Sequence, residues 1–124
     1  AKNNDVVIQF IEGDLFGDID CNFDIIISNP PYILTNNIKN LQQEVLYEPV
    51  LALDGGLDGM DMISKIINIG INRINKNTSS GIFIEIDPQV LSPLRKTLSG
   101  LPHNFKYNIK NDYSGYPRIL SITT

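Results

Sequence analysis

The sequence is poor in cysteine, has no tryptophan and contains no long apolar stretch. Its single cysteine, Cys21, excludes an internal disulfide and a cysteine-based zinc cluster, and it is compatible with a reducing compartment. No run approaches the roughly 18 apolar residues that a membrane-spanning helix needs, and no signal-peptide pattern opens the chain. These absences predict a protein that is not inserted in a membrane.

Basic residues are also few and scattered. Lys and Arg number 10 against 14 Asp and Glu, which makes the formal net charge −4 at pH 7. The only adjacent basic pair is Arg95-Lys96. Because phosphate binding needs clustered Lys and Arg, this distribution argues against a nucleic-acid-binding surface. With 124 residues and 42% hydrophobic content, the chain has the size and composition of one small globular domain.

A short apolar run at residues 23–27 ends in an unusual turn, Ser-Asn-Pro-Pro-Tyr, at residues 28–32. The run is rich in β-branched residues and is typical of a strand in a parallel sheet that is covered on both faces. Pro30 and Pro31 restrict φ and have no N–H, so the sheet ladder has to stop there. The sequence therefore predicts a stiff turn at the carboxyl end of a strand, which is where open α/β sheets bind their ligands.

This turn offers groups that suit a flat ligand with an NH2 group. Asn29 carries a side-chain carbonyl and an NH2 group, and the backbone carbonyls of Asn29 and Pro30 lie beyond the end of the ladder. Tyr32 adds an aromatic face with a polar tip. Two acceptors beside an aromatic plate suit a carboxamide or a nucleobase amine. The alternative interpretation is a surface loop that carries a capping asparagine and two stiffening prolines.

Asn-Pro-Pro-Tyr at the end of an apolar strand resembles the signature of S-adenosylmethionine-dependent amino-methyltransferases, which act on adenine N6, cytosine N4 or glutamine N5. Further matches follow in order along the chain: residues 23–33, Glu48-Pro49, Ala52-Leu53, residues 55–59, Glu85-Ile86, Gln89, Asp112, Gly115 and Arg118. This succession resembles the protein-glutamine N5-methyltransferases that modify peptide-chain release factors. The chain departs from that family at Asp87, where the family usually has glycine.

The resemblance implies a role for each residue of the turn. Asn29 and Pro30 are expected to be the catalytic residues, because their carbonyl oxygens would accept the two N–H bonds of a glutamine side chain. Asn29, Pro30, Pro31 and Tyr32 together are expected to bind the substrate, with Tyr32 packed on the flat amide. The implied cofactor is S-adenosyl-L-methionine, and the implied partner is a peptide-chain release factor.

The resemblance also implies residues that contact the cofactor. Asp14 is expected to accept a hydrogen bond from the adenine amine, Leu15 to pack on the adenine ring, and Asn29 to contact the cofactor as well. A carboxylate in the position of Asp14 is, by itself, more commonly the cap of a turn or helix. For Glu48 we expect a buried carboxylate that ties down loop amides rather than a catalytic group. No metal site is expected.

Apolar periodicity predicts five strands and two helices. The strands are expected at residues 5–10, 23–28, 81–86, 105–109 and 118–123, and the helices at residues 62–74 and 88–99. Asp58 and Asp87 are expected to cap these helices, and Pro93 predicts a kink or a late start in the second helix. The stretch at residues 41–53 fits either a helix or an irregular hairpin.

These elements predict an α/β fold with three layers and a sheet that ends in an antiparallel strand pair. By resemblance, this is the Rossmann-like sheet of class I methyltransferases, incomplete at its N-terminal side. The Gly-rich cofactor loop and the ribose-binding acidic residue of that family would precede Asp5, and the sequence does not contain them. We therefore expect residues 1–124 to be the C-terminal part of one methyltransferase catalytic domain, inactive alone, with the missing N-terminal part as a partner.

The predicted function is methyl transfer to a glutamine side-chain amide of a release factor, by a longer enzyme that includes this chain. Two alternatives stay open. One is a nucleic-acid adenine-N6 or cytosine-N4 methyltransferase with the same turn, against which the acidic charge counts. The other is a non-catalytic, truncated domain that binds a partner chain. Neither nucleic acid nor a membrane is expected as a direct partner, and the predicted location is cytoplasmic, with mitochondria as the alternative.

Overall fold

A mixed β-sheet with helices against one face organises the chain. The computed structural model describes residues 2–17, 19–76 and 79–124. In these residues the strands are β1 (Ile25–Ser28), β2 (Gly81–Glu85), β3 (Lys106–Asn111) and β4 (Pro117–Thr123). The α-helices are α1 (Val50–Leu53), α2 (Asp61–Arg73) and α3 (Leu91–Leu98), and 3₁₀ turns occur at Lys2–Asn4, Thr35–Asn40, Val45–Tyr47 and Pro88–Val90. The predicted α/β class is confirmed.

The strand order in the sheet is β1-β2-β4-β3. β1 runs parallel to β2, with Ile26 opposite Ile82, and α2 lies in the connection between the two strands. β4 is antiparallel to both β2 and β3. The segment between β3 and β4 is too short for a crossover helix, so these two strands form the antiparallel pair that the sequence predicts.

The core lies between the helices and one face of the sheet. Alternate residues of a strand share a face, so Ile82 and Ile84 of β2 point to the same side, and both are buried. The other elements contribute these buried residues: Ile26, Leu120, Ile122, Ile63, Ile66, Ile67, Leu94 and Leu98. Gly70 lets α2 approach the sheet closely, because a Cβ there would lie 2.9 Å from Cδ1 of Ile82.

The predicted first helix is confirmed, but its predicted cap is not. α2 spans Asp61–Arg73 and buries its apolar stripe against the sheet. Asp58 accepts a hydrogen bond from the N–H of Met60 at 3.1 Å. Met60 occupies the N-cap position and makes no side-chain cap bond. Asp58 therefore closes the turn that precedes α2 rather than capping the helix.

The predicted second helix is confirmed with the late start that its proline favours. Asp87 accepts a hydrogen bond from the N–H of Gln89 at 3.0 Å and so caps the 3₁₀ turn that leads into α3. The α-helix begins at Leu91. Pro93 therefore falls in the first turn of α3, where a missing N–H removes no intrahelical hydrogen bond.

The strand predicted at residues 5–10 is wrong. Residues 6–12 form no regular element, and Val7 and Phe10 are 99% and 87% exposed. The described residues therefore contain a four-stranded sheet instead of five strands. An apolar run becomes a stable strand only when a neighbour satisfies its backbone N–H and C=O groups, and no described strand lies beside this segment.

The prediction that the strand at residues 23–28 is covered on both faces is also wrong for the described part of the chain. Ile26 is buried in the core, whereas Ile25 and Ile27 on the opposite face are 55% and 78% exposed. Ile119 of β4 is exposed on that same face. The buried strand residues share a single core with α2 and α3, so two layers form where three were predicted.

The stretch at residues 41–53, for which both a helix and a hairpin were open, is helical in part. It contains the 3₁₀ turn Val45–Tyr47 and the single helical turn α1.

Within the described residues, no helix combines the length and the apolar character needed to cross a bilayer.

A charged cluster ties β4 to the turn that follows β2. The guanidinium of Arg118 donates to Oδ2 of Asp112 at 3.0 Å and to Oδ2 of Asp87 at 2.9 Å. Asp112 also accepts the backbone N–H groups of Ser114 and Tyr116, each at 2.9 Å. The N–H of Tyr116 foremost, with Arg118 and the N–H of Ser114, holds the pKa of Asp112 below its usual value of 3.8. Asp87, the departure from the family pattern, thus supplies both a cap and an ion pair.

Acid unfolding tests this cluster. An aspartate with a lowered folded-state pKa stabilises the fold above its ordinary pKa, and this stabilisation is lost as the pH falls through the lowered value. We expect the urea concentration at the midpoint of unfolding to decrease as the pH is lowered below about 4. Arg118→Met should lower the urea midpoint at neutral pH. The midpoint of this variant should also decrease less between neutral and acidic pH than that of wild type, because the part of the stabilisation that Arg118 provides is absent at every pH. Arg95→Met, at an exposed position of α3, is the control. A wild-type profile in Arg118→Met would contradict the assignment.

Candidate functional site

The turn after β1 is tied to the glycine-rich loop that precedes α2. β1 ends at Ser28, as the two following prolines predict. Beyond them, the N–H of Ile33 donates to the carbonyl of Leu53 at 3.1 Å, and the N–H of Gly55 donates to the carbonyl of Ile33 at 2.8 Å. Ile33 and Asp54 form an isolated parallel bridge. The turn is therefore held between the end of β1 and this bridge.

The four predicted substrate-binding residues line one cavity. Its volume is ≈ 440 Å³, and its lining residues are Asn29, Pro30, Pro31, Tyr32, Ile33, Val45, Glu48, Ala52 and Leu53. Pro30 is buried, whereas the side chain of Asn29 is exposed and not part of the hydrophobic core. The residues of the turn are thus together at one concave surface. The roles predicted for their carbonyl groups stay predictions.

Asp54 fixes the loop on the other side of the bridge. Its Oδ1 atom accepts the hydroxyl of Thr35 at 2.7 Å and the N–H of Gly56 at 2.9 Å. These two hydrogen bonds, that from Thr35 foremost, lower the pKa of Asp54 below its usual value of 3.8. The N–H of Thr35 in turn donates to the carbonyl of Gly56 at 2.9 Å. The carboxylate is therefore ionised at neutral pH and joins two segments next to the cavity.

Gly55 and Gly59 allow this loop to touch the backbone of Tyr32. A Cβ at Gly55 would lie 2.7 Å from the Cα of Tyr32, and a Cβ at Gly59 would lie 2.5 Å from its carbonyl oxygen. Gly59 also has a φ of +76°, a backbone conformation that residues with a side chain rarely adopt. Glycine is common in turns for its backbone freedom, but only the structure shows that these two glycines are needed for contact with Tyr32.

Glu48 differs from its prediction. Its side chain is exposed and lines the cavity, where a buried carboxylate that ties down loop amides was expected. Its backbone N–H donates to the carbonyl of Val45 at 3.0 Å, but within the described residues its carboxylate accepts no hydrogen bond. Pro49 directs the chain into α1 immediately after it. It is also the single charged residue in the lining of this cavity. The cavity therefore carries negative charge and no basic side chain.

Asp14 and Leu15 lie at a different cavity from the turn. This second cavity has a volume of ≈ 540 Å³ and is lined by Gln9, Ile11, Glu12, Gly13, Asp14, Leu15, Phe16, Gly17 and Ile19. Asp14 is exposed, and its backbone carbonyl accepts the N–H of Gly17 at 2.8 Å. Leu15 has a φ of +51°, a strained conformation for a bulky residue, and it contacts the edge of the core.

A third, smaller cavity lies between Leu15 and the end of β1. It measures ≈ 140 Å³ and is lined by Leu15, Phe16, Ile26, Ile27, Ser28 and Ile66. Leu15 therefore shares a cavity with Ser28, the residue directly before Asn29.

Within the described residues, no cluster of His, Cys, Asp or Glu side chains is able to hold a metal ion.

The chain is similar to curated glutamine methyltransferases. It is 36% identical over 102 residues to the MTRF1L release factor glutamine methyltransferase of Homo sapiens, a match that covers 80% of this chain and 30% of that protein. It is 46% identical over 77 residues to the release factor glutamine methyltransferase of Geobacter sulfurreducens, covering 60% of this chain and 27% of that protein. It is 43% identical over 60 residues to the ribosomal protein uL3 glutamine methyltransferase of Neisseria gonorrhoeae, a match that covers 48% of this chain and 20% of that protein.

No protein-family model matches the chain. The chain spans less than a third of the length of each of these three relatives, because the matches cover 30%, 27% and 20% of the relatives' residues. The similarity to the two release factor enzymes extends over most of this chain. The resemblance of this chain to the release factor glutamine methyltransferase family, which its sequence predicts, is therefore confirmed.

Proposed function

We propose that the protein to which this sequence belongs transfers a methyl group from S-adenosyl-L-methionine to the side-chain amide nitrogen of a glutamine. The observation that carries the proposal is the turn at residues 29–32, which follows a parallel strand and lines a cavity with Asn29 exposed. The names of the similar proteins, which are release factor and ribosomal protein uL3 glutamine methyltransferases, support the same chemistry.

An amide nitrogen is a weak nucleophile because its lone pair is delocalised into the carbonyl group. In the proposed site, the side-chain carbonyl of Asn29 and the backbone carbonyl of Pro30 accept its two N–H bonds and direct the nitrogen towards the methyl group. The ring of Tyr32 packs on the planar amide, and Pro31 keeps the turn stiff. Orientation of this kind contributes up to roughly 7–11 kcal/mol, so no strong base is required. Transfer would break the bond between the methyl carbon and the positively charged sulfur, leaving a neutral thioether, and the methylated nitrogen would release one proton to water.

Asp14 and Leu15 fit one part of the proposed cofactor. S-adenosyl-L-methionine supplies a methyl group on a positively charged sulfur. Asp14 offers an exposed carboxylate for an amine, and Leu15 offers an apolar side chain, at a cavity whose ≈ 540 Å³ is within the usual range for small-molecule sites. Asn29, which directly follows Ser28 of the cavity that Leu15 lines, is the third proposed contact.

We further propose that the sheet is part of a Rossmann-like class I methyltransferase fold and that residues 1–124 are the C-terminal part of its catalytic domain. β1 has a described neighbour on one edge alone, and its residues Ile25 and Ile27 are exposed. The apolar residues around Val7 and Phe10 are exposed as well. The rest of the same protein is the partner that would cover these surfaces and complete the cofactor site.

The proposed substrate is a glutamine in a peptide-chain release factor. The two release factor enzymes match 80% and 60% of this chain, compared with 48% for the uL3 enzyme. The negative lining of the cavity, with Glu48 as its charged residue, counts against nucleic acid as the substrate. A cytoplasmic location, with mitochondria as the alternative, is part of this proposal.

The deciding experiment uses the full-length protein with S-adenosyl-L-methionine and three substrates in parallel: a release factor, ribosomal protein uL3 and an adenine-containing DNA duplex. Mass spectrometry of the digested products should locate one added methyl group on a glutamine of the release factor. Methylation of uL3 alone would change the substrate assignment. Methylation of the duplex, or of none of the three, would overturn the proposed function.

A further inference from the structure

Both polar ends of Tyr32 are held by the segment around the end of β2. The hydroxyl of Tyr32 donates to Oε1 of Glu85, the last residue of β2, at 3.3 Å. The backbone carbonyl of Tyr32 accepts a hydrogen bond from Nε2 of Gln89, also at 3.3 Å. Glu85 is 53 residues and Gln89 57 residues distant from Tyr32 in the chain. Tyr32 follows β1 in the chain, but its two polar groups are thus held by residues at and just after the end of β2.

The contact with Glu85 determines which part of Tyr32 is available at the cavity. Burial foremost, then the negative charge of Glu85 and the hydrogen bond to it, raises the pKa of Tyr32 above 10.0. The hydroxyl therefore stays protonated at neutral pH and acts as a donor to a carboxylate. It has no role as a base, and Tyr32 is one of the residues that line the cavity.

We propose that Glu85 is a positioning residue of the methyl-transfer site: by holding the hydroxyl of Tyr32 it sets the plane of the ring on which the substrate amide packs. This inference rests on the proposed function of the turn. Glu85 is not among the residues that line the cavity, so its effect on the substrate passes through Tyr32. Its position at the carboxyl end of β2, next to the end of the parallel strand β1, places it beside the turn.

The length of the hydrogen bond limits the size of the effect. At 3.3 Å it is longer than the 2.5–3.0 Å typical of O–H···O bonds. Gln89 and the glycine loop still hold the backbone of Tyr32 when this bond is lost, so the ring tilts rather than leaving the site. A displacement of about 1 Å at a reacting group costs roughly 100-fold in rate, and we expect about ten-fold for a tilted ring.

A double-mutant cycle in the full-length protein tests the inference. Glu85→Leu should lower kcat for glutamine methylation about ten-fold, with the KM for S-adenosyl-L-methionine unchanged. Glu85→Gln keeps the acceptor oxygen and should restore kcat to within about two-fold of wild type. Tyr32→Phe should match Glu85→Leu, and the double variant should be no slower than Tyr32→Phe alone. Glu44→Gln, at an exposed position outside the cavity lining, is the matched control.

A spectroscopic measurement tests the same contact without methyl transfer. Alkaline absorbance titration of wild type minus Tyr32→Phe isolates the ionisation of Tyr32 from that of the other tyrosines. In Glu85→Gln the pKa of Tyr32 should fall towards 10.0, because the negative charge of Glu85 is one cause of its rise, while burial keeps it above that value. The titration in Glu44→Gln should equal that of wild type.

The outcomes separate the inference from the function on which it rests. Effects of Glu85→Leu and Tyr32→Phe that multiply in the double variant would overturn the inference, as would an unchanged Tyr32 titration in Glu85→Gln. A Glu85→Gln variant as slow as Glu85→Leu would assign the effect to charge rather than position, and would also overturn it. If wild type methylates no glutamine, the proposed function fails, while the titration still decides whether Glu85 holds the hydroxyl.

Discussion

Replacement of Asn29 by alanine in the full-length protein should lower kcat for glutamine methylation by on the order of 10²–10³-fold. In the proposed site the side-chain carbonyl of Asn29 is one of two acceptors that orient the amide, and alanine leaves nothing in its place. The free energy of unfolding should change by less than about 0.5 kcal/mol, because Asn29 is exposed and outside the hydrophobic core. Single-turnover methylation and urea unfolding measure the two quantities.

Asn37→Ala is the matched control for this prediction. It makes the same substitution at an exposed asparagine of the 3₁₀ turn Thr35–Asn40, which is not part of the cavity lining. It should leave kcat unchanged. If Asn29→Ala retains transfer at a rate close to that of wild type, the two-carbonyl arrangement is wrong. If Asn29→Ala unfolds the protein, the residue has a structural role that its exposure does not predict.

Replacement of Gly55 by alanine should lower the free energy of unfolding by about 2–3 kcal/mol, near the upper end for overpacked sites. An added Cβ would lie within 3.0 Å of three backbone atoms, the Cα and C of Tyr32 and the Cα of Gly59. Backbone atoms cannot rotate away as the end of a side chain can, so the glycine loop and the turn have to separate. Urea unfolding of the full-length protein measures this loss.

The same substitution should also reduce methyl transfer by more than the loss of folded protein explains. Separation of the loop moves the backbone of Tyr32, and with it the ring and the neighbouring carbonyl groups. Gly100→Ala is the control, since its nearest atom would be the carbonyl oxygen of Thr97 at an ordinary 3.5 Å. It should leave stability unchanged or raise it by up to about 1 kcal/mol. Equal effects of Gly55→Ala and Gly100→Ala would contradict the close contact.

Local patterns predicted the elements that find partners within the chain. The apolar stripe of α2 packs against one face of β1, β2 and β4, and each of these elements forms where its pattern predicts it. Residues 5–10 carry a run of the same kind, yet Val7 and Phe10 are exposed because no described strand pairs with them. A sequence pattern records that a side chain is apolar, and it does not record whether a neighbour is present.

In the candidate site, too, some features follow from the local sequence and others depend on contacts between distant residues. The turn at residues 29–32 was predictable because its residues are contiguous and the prolines restrict the backbone locally. The contact from Tyr32 to Glu85 joins residues 53 positions apart, and no spacing rule foresees it. A carboxylate in an otherwise apolar strand, such as Glu85, needs a partner or water, but its position in the sequence does not say which. Glu48 was expected to be buried, and it lies exposed at the cavity because the chain turns into α1 directly after it.

By itself, the sequence determined the α/β class, the antiparallel pair at the end, the stiff turn after the first strand and the resemblance to glutamine methyltransferases. These depend on residue type, on periodicity and on contiguous motifs. Only the tertiary structure decided that one face of the sheet is covered, that Gly55 and Gly59 touch Tyr32, and that Glu85 holds its hydroxyl. Those features depend on which distant segments meet, and that is set by packing of the whole core rather than by any local stretch of residues.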